Sequence, residues 1–157
     1  MRSEPTALTK PPRSFALLSF DRDAFDKFID EARELCRAAD RLRVCDFTLG
    51  QLLAHAPADS DGIGPFGPVR DVLDRPELEA MRRGFQIGAR NKRGGTSRDY
   101  DEGGNQERKL ADTYRGHARA LHNSHPNLAA ALEELARWYE SDGRREDLRA
   151  KLRREGY

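Results

Sequence analysis

The sequence predicts an all-α fold: one helical bundle of about five helices, with a C-terminal helical hairpin and a long glycine-rich basic loop. Three observations carry that expectation. Apolar residues recur at i, i+3, i+4 and i+7 in several separate windows, and prolines or glycines punctuate the windows. The composition is lean, 37% hydrophobic against 35% charged, as amphipathic helices with charged outer faces require. The length of 157 residues suits a single domain able to bury one core without disulfide or metal support.

Taken in order, residues 1–14 (MRSEPTALTKPPRS) mix proline, polar and charged residues and read as a mobile tail preceding a helical domain over 15–157. Phe15 to Phe20 is an apolar run too short to assign to strand or helix. Asp21 or Asp23 caps the clearest helix, whose stripe is Phe25, Phe28, Ile29, Ala32, Leu35, Cys36 and Ala39. A second helix is expected from Thr48, with Gln51 completing a capping box and Phe47 stapling onto Leu52, and it ends before Pro57. The segment ADSDGIGPFGPV then reads as a loop. Its Asp59 and Asp61 keep only the first two acids of a calcium loop and so predict a turn.

Pro68 opens a short helix through Leu73, and Asp74 with Glu77 is expected to start the next, whose buried stripe is Leu78, Met81 and Phe85. Gly84 and Gly88 predict fraying there, at about 1 kcal/mol each relative to alanine. An irregular loop is expected from Asn91 to Gly104. A helix from Gln106 to about His122 carries Leu110, Tyr114, His117 and Leu121 on one face, with Gly104 or Asn105 as cap. After Ser124-His125-Pro126, a final helix presents Leu128, Leu132, Leu135 and Tyr139, widened by Ala131 and Trp138, and runs on as the charged string RREDLRAKLRRE beyond Gly143. These two helices form the expected hairpin, over 105–157.

Charge divides the chain. Residues 1–80 hold 11 basic and 15 acidic side chains, a net of −4, whereas 81–157 hold 17 and 12, a net of +5. The stretch Met81 to Arg98, MRRGFQIGARNKRGGTSR, has six basic residues, four glycines and no acid. It separates an acidic helical half, 15–80, from the hairpin. Glycine amides and arginines in one segment suit phosphate or carboxylate. The polyanion-binding candidates are therefore Arg82, Arg83, Arg90, Lys92, Arg93, Gly94, Gly95 and Arg98, weighed against a solvated loop pairing with nearby acids. The segment is no P-loop, because Gly95 stands where the lysine belongs.

Cys36 and Cys45 have neither CxxC spacing nor the density of a secreted scaffold, which predicts a reducing, cytoplasmic setting. No apolar run reaches the roughly 18–20 residues that cross a bilayer. His117, His122 and His125 cluster near one helix end, but 117 and 122 lie about 140° apart on a helix, so zinc is not expected. No metal or other cofactor is expected.

Two resemblances bear on function. The strings RGFQIGARNKRGGTSR, DEGGNQERKLADTYR and HPNLAAALEELARWYESDGRREDLRA together resemble a set of uncharacterised small helical proteins of actinobacteria, over about residues 83–150. That resemblance implies a helical hairpin and brings no activity with it. The pair Arg119 and His125, five residues apart in between, resembles the Arg-x(4 to 6)-His motif of the HEPN family of metal-independent ribonucleases. By that resemblance Arg119 holds phosphate and His125 does acid–base work; Pro126 here puts the histidine at a helix break, where the family keeps it within one helix.

Tyr114, Trp138 and Tyr139 are either core packing or a platform for stacking bases. The expectation is a non-enzymatic binding module that engages a protein partner or a polyanion, nucleic acid included, through the basic segment and the hairpin. The alternatives are a HEPN-like ribonuclease using Arg119 and His125, and a sensor of a phosphorylated ligand or nucleotide through Gly94, Gly95 and Arg98. No membrane contact is expected, and homo-oligomerisation stays open.

Overall fold

A computed structural model describes residues 20–92 and 103–156. Among them the chain forms six α-helices and no strand: α1 (Arg22–Ala38), α2 (Leu42–Leu53), α3 (Gly67–Leu73), α4 (Glu79–Lys92), α5 (Asn105–Leu121) and α6 (Pro126–Arg154). The expected tail over 1–14 and most of the Phe15–Phe20 run lie outside the described residues, as do Arg93 to Glu102.

Asp21 caps α1, its carboxylate accepting the Ala24 N–H at 2.9 Å. The predicted stripe is only partly covered. Ile29 is fully buried, while Phe28 and Leu35 are 56% and 74% exposed. The chain reverses through Asp40, which takes the left-handed conformation at φ 56°, and α2 begins at Leu42. This corrects the expected start at Thr48. Thr48 sits mid-helix with its hydroxyl bonded to the Val44 carbonyl at 2.9 Å, because the turn at 39–41 is short enough for α2 to start at once. The residue that anchors α2 to α1 is Asp46, buried and paired with Arg33 at 2.7 Å.

The loop after α2 is held from within. Arg70, itself buried, donates to the Pro65 carbonyl at 2.6 Å and forks onto both oxygens of Asp61 at 2.9 and 3.0 Å. Asp59 accepts the Gly67 N–H at 2.9 Å. These two acids organise a turn around α3, a short helix whose Val69, Val72 and Leu73 lie in the centre of the core. Asp74 ends α3 instead of starting the next helix, which begins five residues on at Glu79. The carboxylate of Asp74 instead takes the Leu128 N–H at 3.0 Å, tying the end of α3 to the start of α6.

Gly84 and Gly88 do not fray α4. The helix runs unbroken to Lys92, and both glycines are its contact face with α2. A Cβ on Gly84 would sit 1.9 Å from the Phe47 carbonyl oxygen, and one on Gly50 of α2 would sit 1.9 Å from the Met81 carbonyl oxygen. The absent side chains let two backbones touch, and that packing outweighs the low helix propensity of glycine.

α6 is likewise continuous through Gly143, which is buried where the start of α5 abuts it. A Cβ on Gly104 would meet the Gly143 carbonyl oxygen at 2.2 Å. Beyond that point α5 and α6 pack through side chains. Leu128, Leu132, Leu135 and Tyr139 are buried, and Tyr139 stacks on Tyr114 with ring centres 5.7 Å apart and planes within 4°.

Candidate functional site

An open trough of about 930 Å³ lies between α2, α4 and α6. Its apolar surface comes from Val44 and Phe47 of α2, Ala80 of α4, and Ala130 and Ala131 of α6. Val44 is 65% exposed, an apolar side chain offered to solvent at the trough's edge. Polar side chains line the rest, with Arg43, Arg83 and Asn127 beside Glu79 and Glu134.

α2 and α4 touch at backbone distance along Gly50, Gly84 and Gly88, and the trough runs beside that contact, against α6. Buried Gln86 fixes the α4 wall to α6, donating from Nε2 to the Ala131 carbonyl at 2.8 Å and to Glu134 at 2.9 Å. At the opposite wall Asn127 donates to the Asp74 carbonyl at 2.8 Å.

The structure distributes the basic candidates among different tasks. Arg82 serves the fold, donating to the carbonyls of Leu73 at 2.9 Å, Arg75 at 2.6 Å and Pro76 at 3.2 Å, so it secures the link from α3 to α4. Burial pushes its guanidinium below the ordinary value, against the raising influence of Asp74, Glu79 and Glu77. Arg83 and Arg90, two turns apart on α4, both approach the face of Trp138, at 5.3 and 5.4 Å from the ring centre. Arg90 also pairs with Asp142 at 3.1 Å, and Arg83 lies 3.7 Å from Glu134. Trp138 is thus covered by cations of the same chain. Lys92 is exposed at the end of α4, and Arg93, Gly94, Gly95 and Arg98 lie outside the described residues.

Arg119 and His125 belong to different features. Arg119, on the last turn of α5, lines a smaller groove of about 460 Å³ with His122, Pro126, Ala129, Glu133 and Arg137. His125 stands just before α6 with both ring nitrogens engaged, Nδ1 with the Ser124 hydroxyl and Nε2 with Asp71, each at 2.8 Å. Asp71 also takes Arg22 at 2.6 Å. Burial raises the Asp71 carboxyl, but the hydrogen bonds from His125 and Arg22 outweigh it and hold the group below its ordinary value. That cluster joins α1, α3 and the turn between α5 and α6. His117 is half-buried near Gly64, and burial together with the positive charge of Arg70 lowers its pKa, with Asp61 opposing. Among the described residues no group of three or more His, Cys, Asp or Glu side chains is arranged to hold a metal ion, and no helix is long and apolar enough to cross a membrane.

Sequence reasoning named two members of this surface, Arg82 and Arg83. It missed Arg43, Val44, Gln86, Asn127 and Glu134, which come from three helices far apart in sequence and carry no local spacing signal. The misplaced start of α2 hid Arg43 and Val44 altogether. The one available cue was Val44, an apolar residue off the buried face once α2 is drawn from Leu42. No protein-family model, curated protein or solved structure matches the chain.

Proposed function

We propose that the protein is a non-enzymatic binding module and that the trough between α2, α4 and α6 receives a segment of a protein partner. The observation that carries this reading is the trough's lining, a strip of small and apolar side chains with exposed Val44 beside it and mixed charges at the rim. Small residues along a groove let a partner's helix or extended chain approach closely, and rim charges of both signs favour a polypeptide carrying both over a uniformly anionic polymer. The polyanion alternative rests on fewer of its original residues, since Arg82, Arg83 and Arg90 have partners within the fold.

The test is affinity capture from native lysate after nuclease treatment, comparing the natural chain with Ala130→Trp and with the triple variant Arg90, Lys92 and Arg93 to alanine. Ala130 is exposed and lines both the trough and the smaller groove beside Arg119, so a tryptophan there obstructs the trough without entering the core, and Val44→Asp, which touches the trough alone, should lose the same protein. A protein retained in high salt by the natural chain and the triple variant, and lost with Ala130→Trp, is the expected result. Nucleic acid that co-purifies without nuclease, is stripped by salt and is lost in the triple variant would support the polyanion reading instead.

A further inference from the structure

Away from the trough, the two cysteines meet. Cys36 lies in the last turn of α1 and Cys45 in the first turn of α2, on either side of the turn at 39–41. The Cys45 Sγ lies 3.7 Å from the Ala32 carbonyl oxygen, one helical turn before Cys36 on the same face of α1, and the two thiols are close enough to influence each other's ionisation. The adjacent ion pair of Arg33 with Asp46 fixes the two helices in this register. Both cysteines are free and only half-buried.

We propose that Cys36 and Cys45 form a reversible redox pair, closed to an intramolecular disulfide by a hydroperoxide, that staples α1 to α2. The thiolate of Cys36 attacks the terminal peroxide oxygen, the O–O bond breaks, and the sulfur becomes a sulfenic acid as the alcohol, or water from hydrogen peroxide, leaves with a proton. The Cys45 sulfur then attacks the Cys36 sulfur; the S–S bond forms, the S–OH bond breaks and water departs with the Cys45 proton. Two thiols have lost two electrons to one peroxide.

The order of attack follows from the surroundings. The Cys45 thiol donates to the Ala32 carbonyl, which holds its proton, and burial with Cys36 beside it pushes that thiol up to about 11, so Cys36 is the sulfur placed to attack first. The staple acts where the fold is least anchored, because Ile29 is the one fully buried side chain of α1. Opening the disulfide with a dithiol restores the starting state.

The test uses the full chain, fully reduced and then treated with a few equivalents of hydrogen peroxide. The expected product has lost two hydrogens by intact mass, stays monomeric on a non-reducing gel, yields a peptide joining Cys36 to Cys45, and reverts with dithiothreitol. Amide exchange in α1 should slow by about tenfold or more in the oxidised form. In Cys45→Ser, dimedone should label Cys36 after peroxide; in Cys36→Ser, Cys45 should remain a thiol. Survival of both thiols, separate over-oxidation to sulfinic acid, or a disulfide formed only between two chains would each overturn the proposal, and all three are read in the natural chain whether or not the variants fold.

Discussion

The α2/α4 pair and the α5/α6 pair belong to one all-helical chain, yet they are held by opposite means. In the first, Gly50, Gly84 and Gly88 bring backbone against backbone, with almost no side chain at the point of contact. In the second, a leucine ladder and a stack of Tyr114 on Tyr139 fill the space, and glycine matters at one end, where Gly104 meets Gly143. The difference teaches how to read glycine in a helix. At Gly84 it is a packing residue and irreplaceable; at Gly116, mid-way along α5, a Cβ would meet nothing within 4 Å.

The sharpest way to break the contrast is Gly84→Ala. Helix propensity alone would make alanine the better residue by about 1 kcal/mol. The clash with the Phe47 carbonyl instead predicts a loss of about 3 kcal/mol or more, because neither backbone can move without opening the crossing. Urea unfolding reads the sign directly, and a stabilised variant would rule out the close approach.

Next in size is Asp46→Ala, which leaves the part-buried Arg33 guanidinium without its buried carboxylate partner. A loss of about 2 kcal/mol or more is expected, below the full cost of breaking a wholly buried pair because Arg33 keeps some contact with water. A chemical denaturation midpoint unchanged from the natural chain would show that α1 is held by other contacts.

Gly116→Ala should do the reverse of Gly84→Ala and raise stability by about 0.5–1 kcal/mol, since the site is helical and open. Thermal unfolding of the two variants side by side gives opposite shifts if the contrast holds.

The smallest effect concerns the end of the α5/α6 pair. Asp147 accepts the Gly104 N–H at 2.9 Å and pairs with Arg108 at 2.5 Å, and these contacts hold its carboxyl below the ordinary 3.8. A carboxyl lowered on folding stabilises fully above its unfolded pKa and loses that contribution as pH falls through the folded value. Acidification below about pH 4 should therefore speed exchange of the Gly104 amide, and Asp147→Asn should flatten that response.

Much of the fold was legible. The cap at Asp21, the helix start at Pro126, the stripes of α4, α5 and α6, and the breaks near Pro57 and Ser124 lie in local sequence and follow from helical periodicity, whereas the stripe read for α1 leaves Phe28 and Leu35 in solvent. Thr48 misled because a capping box is a local pattern, whereas the true start of α2 depends on a left-handed Asp40 and on Asp46 finding Arg33 thirteen residues earlier. Gly84 and Gly88 misled because propensity describes an isolated helix, and their role exists only when α2 lies across them. The trough was invisible for the same reason: Val44, Ala80 and Ala130 acquire meaning when three helices converge. Arg83 and Arg90 were candidates for a polyanion surface, weighed against pairing with nearby acids, and the partners they find, Trp138 and Asp142, stand some fifty residues on.

The central claim is that the trough, and not the basic segment, receives the partner. Hydrogen-exchange footprinting of the full chain with the protein retained in the capture experiment addresses it most directly. The account predicts slowed exchange in peptides covering Arg43 to Phe47, Glu79 to Gln86 and Asn127 to Glu134, with that protection lost in Ala130→Trp. Protection confined to residues 91–104 and the start of α5, abolished by salt, would contradict it.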